Sequence, residues 1–312
     1  MDIVRELLNG SPRALARAIT AIENEYDDAF SIMKKVYPHI GRAHVIGVTG
    51  PPGAGKSTLT DKLAKRYRKQ GKTVGIVAVD PTSPFSGGAI LGDRIRMNEL
   101  TIDPGVFIRS MGTRGSLGGL ALKTSDVVKI MDAAGKDIIF VETVGVGQSE
   151  VDIVKAADTT IVTLVPGLGD DIQAIKAGIL EIGDIFVINK ADHAGVERLN
   201  IELEMMLNLN QSMVDWRPPV KRTIASDGSG VDELISKIEE HIIYLKGSKE
   251  LAIRRTKRTR DELLSLLNEQ ISRCILGKIT VSGELDSLVT SIEQRMHDPY
   301  TVVSKLLSNY LR

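Results

Sequence analysis

From residue 44 onward the chain alternates short Val/Ile-rich runs with helical patterns, and this rhythm leaves few folds open. The runs cover 44–49, 73–79, 105–109, 137–142, 159–165, 184–188 and 219–224, bounded by Gly, Asp or Pro. All but 219–224, which holds Lys221 and Arg222, are apolar nearly throughout, as strands covered on both faces are. Strand and helix in alternation predict an α/β fold with a mostly parallel sheet flanked by helices. Such sheets bind ligands at the carboxyl ends of their strands. A chain of 312 residues, 42% hydrophobic and 26% charged, can bury a core of that size and keep a polar surface.

The loop after the first run carries phosphate chemistry. Gly50-Pro51-Pro52-Gly53-Ala54-Gly55-Lys56-Ser57, followed by Thr58, fits G-x-x-x-x-G-K-[ST] between a strand and a helix. The glycines let backbone N–H groups turn in around the phosphates. Lys56 is expected to reach the β- and γ-phosphates, and the Ser57 hydroxyl to ligate Mg²⁺. The helix N-terminus adds its positive dipole end. The expected fold is therefore a P-loop NTPase.

Base identity comes from Asn189-Lys190-Ala191-Asp192, which follows the sixth run and fits N-K-x-D. A carboxylate accepts from both the N1–H and the exocyclic amine of guanine. Adenine offers no such pair of donors, so Asp192 selects GTP and GDP. Asn189 and Lys190 shape the pocket, and the loop at Ala225-Ser226 backs the base.

A third element is Glu142-Thr143-Val144-Gly145 at the end of the fourth run. It stands where many GTPases carry Asp-x-x-Gly, with Gly145 placed to present its N–H to the γ-phosphate. Gln148 lies three residues beyond Gly145. It reads either as the residue that orients the attacking water or as an ordinary loop residue. Asp80 ends the second run and Asp93 lies in a Gly-rich loop. With Ser57 and Glu142 they make an oxygen set suited to Mg²⁺. The candidate catalytic residues are Lys56, Glu142 and Gln148. Arg114, on another Gly-rich loop, reads equally as a phosphate-side or a surface arginine.

Outside this core the strand rhythm is absent. Residues 1–40 read as two short helices, with Ser11 as an N-cap, Pro12 at the first helical position and Pro38 closing the second. Beyond about residue 248 the patterns are helical. The expected division is an N-terminal helical segment 1–40, a P-loop domain 41–248 and a helical arm 249–312. The basic run Arg254, Arg255, Lys257, Arg258 and Arg260 is followed by Asp261 and Glu262. It reads as the solvated face of an amphipathic helix.

Lys+Arg and Asp+Glu balance at 40 each, which gives no electrostatic footprint for nucleic acid. The single Cys274 excludes an intrachain disulfide and a CxxC metal site. The N-terminus carries charge where a signal peptide needs an apolar core. No apolar run approaches the roughly 18–20 residues of a membrane span. A cytoplasmic protein without membrane partners is expected.

Taken together, "GPPGAGKST", "VAVDP", "GGAILGDRIRM", "TRGSLGGLA", "VETVGVGQSE", "PGLGDDIQAIKAG" and "NKAD" stand in family order over roughly residues 44–235. They resemble the MeaB/ArgK family of GTPases, related to the human methylmalonic aciduria type A protein. The resemblance implies a homodimer joined largely through the C-terminal helical arm. It also implies a chaperone for an adenosylcobalamin-dependent acyl-CoA mutase, chiefly methylmalonyl-CoA mutase, with an adenosyltransferase as a second candidate partner. GTP binding and hydrolysis would gate cofactor loading, protect the mutase and let damaged cofactor leave. The loops at 81–97 and 143–152 would be its first two switches. The loop at 166–178 would be its third, with Asp170, Gln173 and Lys176 coupling nucleotide to mutase.

Two other functions share the P-loop. A metallochaperone GTPase for nickel enzymes tends to carry Cys/His clusters, and here one Cys and five scattered His oppose it. A kinase or ATPase serving arginine/ornithine transport would bind ATP, and Asp192 predicts GTP.

Overall fold

The computed structural model describes residues 2–80, 97–112, 117–143, 156–167, 179–209 and 215–310. Each of the seven apolar runs is a strand: β1 (His44–Thr49), β2 (Val74–Asp80), β3 (Val106–Gly112), β4 (Ile138–Thr143), β5 (Thr159–Leu164), β6 (Ile185–Asn189) and β7 (Val220–Thr223). They form one sheet in the order β3-β2-β4-β1-β5-β6-β7. Every neighbouring pair is parallel.

Helices connect the strands. They are α4 (Lys56–Lys69), the single turn α5 (Asn98–Thr101), α6 (Leu117–Ala133), the single turn α7 (Ile179–Ile182), α8 (Val196–Leu209) and α9 (Val231–Gly247). β1 is the central strand, and the order reverses around it. β2 lies to one side beyond β4, and β5 follows β4 in sequence on the other side. This reversal opens a crevice at the carboxyl ends of β1, β4 and β5.

The sequence pattern predicts two helices before β1, and there are three: α1 (Ile3–Leu8), α2 (Pro12–Glu23) and α3 (Ala29–Val36), followed by a 3₁₀ turn at Tyr37–His39. The additional helix, α1, is six residues long, too short for hydrophobic periodicity to reveal. Asp2 caps it by accepting from Val4 N at 3.1 Å. Ser11 caps α2, accepting from Ala14 N at 3.3 Å, with Pro12 at the first helical position.

The core has layers on both faces of the sheet. Val45, Val77, Ile139 and Val141 point to one face, where α2, α3 and α6 cover them through Leu15, Ile19, Ile32, Val127 and Met131. Ile46, Val48, Ile76 and Phe140 point to the other, under α4 and α9 through Leu59, Leu63, Leu234 and Ile238. Phe186 and Ile188 pack under α8 with Leu199 and Leu203. Adjacent strand residues thus face opposite layers, as the strand period of two requires.

Two compact units result, Met1–Arg255 and Thr256–Arg312. Helix α10 (Glu250–Val281) begins in the first and continues in the second, which also holds α11 (Glu284–Glu293) and α12 (Pro299–Tyr310). Inside the second unit Ile275, Ile279 and Val302 are buried, and the Tyr310 hydroxyl donates to Glu284 at 2.6 Å. Leu263, Leu267, Leu276 and Val281 of α10 are exposed.

The basic run departs from its sequence reading. Lys257 and Arg260 are exposed, as a solvated face requires. Arg254 and Arg255 instead pair with the buried carboxylates of Asp184 and Asp158. Their partners lie 70 and 97 residues away in sequence, beyond the reach of local charge patterning.

Candidate functional site

The P-loop leaves β1 at Gly50. A Cβ there would stand 2.0 Å from the Thr163 carbonyl oxygen of β5, at φ +135°, so only glycine fits. The loop returns at Gly55 (φ +84°), which caps α4, and a Cβ there would stand 2.4 Å from Asn189 Nδ2. The loop is thus pressed between β5 and the end of β6. Lys56 opens α4 and is 5% exposed. Its ammonium donates to Gly50 O at 2.6 Å and Pro51 O at 2.9 Å. The first N–H groups of α4 have no intrahelical carbonyl to meet, which makes this end an anion site.

Glu142 reaches the same place from β4. It is 5% exposed, level with Val48 of β1 and Ala78 of β2. Its Oε1 accepts a short hydrogen bond from the Ser57 hydroxyl. Beside them the hydroxyls of Thr143 and Thr49 meet at 3.2 Å, joining the ends of β4 and β1. Asp80 ends β2 opposite Gly112, one residue past the level of Thr143. Among the described residues no group of three or more His, Cys, Asp or Glu side chains forms a metal cluster. What the fold does bring together, the Ser57 hydroxyl and the Glu142 carboxylate, is a pair of hard oxygen donors. Its chemistry fits Mg²⁺.

At the end of β6, Asn189 is 2% exposed and bonds in two directions. Its Nδ2 donates to Ala54 O of the P-loop at 2.8 Å. Its Oδ1 accepts from Thr223 Oγ1 at 3.1 Å and from Ala225 N at 3.0 Å. One amide therefore clamps the phosphate loop to the base-side loop. Lys190 follows in the left-handed region, at φ +54°. Ala191 N is held by Thr223 O at 3.1 Å. Asp192 projects into solvent, and Ser226 is exposed beside the buried Ala225.

The structure thus gathers Gly50 through Thr58, Glu142, Asn189, Lys190, Asp192, Ala225 and Ser226 at one edge of the sheet. Asp93, Arg114, Gly145, Gln148, Asp170, Gln173 and Lys176 lie outside the described residues. Sequence reasoning missed the threonines at the strand ends. Thr163 packs its backbone under Gly50, Thr223 orients Asn189, and Thr49 with Thr143 joins the strands below Glu142. A threonine in a β-rich run carries no signal beyond strand propensity. Among the described residues no helix is long and apolar enough to cross a membrane.

Known proteins resemble this chain over most of its length. The family model for the methylmalonyl-CoA mutase-associated GTPase MeaB matches residues 15–279. A Pyrococcus abyssi protein named as a GTPase is 50% identical over 316 residues, which cover 99% of this chain and 96% of the relative. The Escherichia coli GTPase ArgK is 36% identical over 290 residues, covering 87% of this chain and 88% of its own. The mouse mitochondrial methylmalonic aciduria type A homolog is 34% identical over 283 residues, covering 85% and 68%. Among solved structures, a LAO/AO transport system kinase matches with a TM-score of 0.76 at 25% identity, covering 100% of this chain and 97% of that one.

Proposed function

The chain belongs to the MeaB/ArgK family of GTPases, and from that premise we propose that its GTP cycle serves an adenosylcobalamin-dependent acyl-CoA mutase. The proposed role is that of a G-protein chaperone that gates cofactor loading and protects or reactivates the mutase. Methylmalonyl-CoA mutase is the first candidate, and an adenosyltransferase a second partner. The observation that carries this reading is the reach of the family match. It runs from residue 15, inside α2, to residue 279, through most of α10 and well past the nucleotide site.

In the proposed reaction water attacks the γ-phosphate and GDP leaves. Lys56 releases its loop carbonyls and donates to the β- and γ-phosphate oxygens. The N–H groups at the start of α4 hold the charge that develops there. Asp192 accepts the two guanine donors, while Asn189 keeps the phosphate and base loops in register. Ser57, Glu142, Asp80 and Asp93 are the residues to hold Mg²⁺, whose chemistry when bound is to neutralise charge on the β- and γ-phosphates. Glu142 also fixes the Ser57 hydroxyl. Gly145 and Gln148 are assigned to γ-phosphate sensing and water orientation, and Asp170, Gln173 and Lys176 to partner coupling. With Gln148 three residues from Gly145, intrinsic hydrolysis is expected to be slow, below about 1 s⁻¹. The exposed leucines of α10 suit a homodimer contact within the 249–312 arm.

The test is a capture from the source cells with the protein held in GDP and then in a non-hydrolysable GTP analogue. Recovery of a cobalamin-dependent mutase, with its affinity changed by the nucleotide, supports the proposal. Recovery of urease, hydrogenase or transporter subunits in its place overturns it. ATP competing with GTP at equal concentration would also overturn the guanine assignment.

A further inference from the structure

Further along α4, past the phosphate loop, lies a cavity of about 510 Å³ that the nucleotide chemistry does not use. Its first wall is a row of cations on α4: Lys62, Lys65, Arg66, Arg68 and Lys69. α5 and Asp103 behind it make the second, and the loop at Asp227 beyond β7 the third. A helix rises ~1.5 Å per residue, so the row starts about 9 Å from Lys56 along the axis and ends about 20 Å from it. The cavity is a place of its own, and its size falls among small-molecule sites, roughly 300–1,000 Å³.

Three of the cations are held in position. Lys65 lies between Asp61 of its own helix, at 3.0 Å, and Glu99 of α5, at 2.6 Å. Arg66 Nε meets Asp232 of α9 at 3.0 Å. Arg68 is fixed most firmly. Its Nε and Nη2 donate to the two oxygens of Asp103, each at 2.9 Å, and its Nη1 donates to Lys72 O at 2.6 Å. Gly105 leaves the guanidinium the space that a Cβ would fill. These bonds leave one N–H on each terminal nitrogen of Arg68 for another acceptor.

Lys62 and Lys69 differ from the other three. They stand two turns apart on one face of α4, about 10 Å along the axis. Among the described residues neither forms an ion pair. Lys62 acts on Glu99 and Asp227 from a distance. The Asp227 carboxylate is itself engaged by Ser229 N at 2.8 Å.

The lining selects the ligand. Leu100 is its one aliphatic side chain, which does not suit an apolar molecule. A single carboxylate on a ligand would gain little, since Glu99 and Asp103 already offer that group to the same wall. A phosphate group brings about −1.5 to −2 charge and three acceptor oxygens. It suits both a preset guanidinium and a lysine ammonium. Two lysines without ion pairs, two turns apart, call for two such groups.

We propose that this cavity binds a small organic molecule carrying two phosphate groups, one held by Lys62 beside the Asp227 loop and the other by Lys69 with Arg68. Binding is ionic and hydrogen-bonded, and no covalent bond changes. A free nucleoside bisphosphate has this chemistry. So does coenzyme A, with a phosphate on its ribose and a pyrophosphate beyond it.

The test is calorimetric titration of the full-length protein, already saturated with GDP, with adenosine 3′,5′-bisphosphate, coenzyme A and AMP. The bisphosphate should bind once per chain, at least about tenfold tighter than AMP, and more GDP should not displace it. Coenzyme A binding tighter than the bisphosphate supports the site and assigns it to a coenzyme A-type ligand. Weaker binding supports it as a site for a free nucleoside bisphosphate. Lys62→Ala combined with Lys69→Ala should weaken the bisphosphate at least about tenfold. Melting temperature and GTP hydrolysis should not change, because Lys69 is exposed, Lys62 half-buried, and both lie beyond the phosphate loop. Arg68→Lys, which keeps the charge and loses the fork, should weaken it about threefold. The proposal is overturned if neither two-phosphate probe binds below about 1 mM, or if AMP binds as tightly as the bisphosphate. Displacement by GDP overturns it too, as does undiminished binding to the folded double variant.

Discussion

The carboxyl ends of β1, β4 and β6 carry glycine turns, a single amide clamp and one hydroxyl–carboxylate contact. Around the amino ends of β5 and β6, Asp158 and Asp184 pair with Arg255 and Arg254, and His44 and His241 meet across the Thr159 hydroxyl. The first edge is organised to receive an anion. Its donors are backbone groups and one lysine, and its short-range order is set by α4. The second edge has satisfied its charges internally. Ionic groups there stabilise the attachment of α10. The contrast teaches that charge density alone does not locate the active edge of a parallel sheet. Dipoles and unsatisfied N–H groups at a helix start do.

Substitutions should separate the two edges. Asp184→Ala leaves Arg254 and His241 without their carboxylate, and unfolding in urea should show a loss of about 3–5 kcal/mol. The folded variant should keep its GTP affinity within about threefold; a larger change would join the two edges into one system. Lys56→Ala should do the reverse. Single-turnover GTP hydrolysis should fall about 100- to 1,000-fold with little change in melting temperature, and a melting temperature lowered as far as that of Asp184→Ala would blur the contrast.

Acid should act on the base edge first. The folded value of His44, about 4, lies below its ordinary 6.5. Between these values the unfolded chain binds more protons. The stability His44 contributes is therefore complete above pH 6.5 and is lost as the pH falls toward 4. The loss from this residue is about 3 kcal/mol, measurable by urea titrations across that range. His44→Gln should flatten the slope.

Asn189→Ala removes the clamp between the phosphate and base loops and leaves Ala54 O and Ala225 N without it. GTP affinity and stability should each fall by about 2 kcal/mol. Calorimetric titration with GDP checks this, and a change confined to stability would show that the clamp does not position nucleotide. The smallest effect is expected from Ser11→Ala, which removes the α2 cap. About 1 kcal/mol of stability should go while both edges keep their properties.

All seven strands were legible because each is a compact β-branched run between breakers. The P-loop and Asn189–Asp192 were legible because their chemistry is written in consecutive residues. α1 was not, since six residues carry too little periodicity. The role of Arg254 and Arg255 was not legible either. Their neighbours in sequence are other cations and two acids, and the carboxylates they bind belong to distant strand starts. The same holds for Thr163, Thr223 and the Thr159 bridge, which read only as strand residues.

What the sequence determined alone is the parallel α/β sheet, the phosphate loop and the guanine motif, because strand propensity, glycine turns and motif spacing act within a few residues. The tertiary structure alone decided that Asn189 joins two loops, that Glu142 meets Ser57 from a different strand, and that a basic helix start is bound into the base of the sheet. Those outcomes depend on which strand lies beside which. Strand order is set by the packing of whole helices across both faces, and no local stretch of residues encodes it.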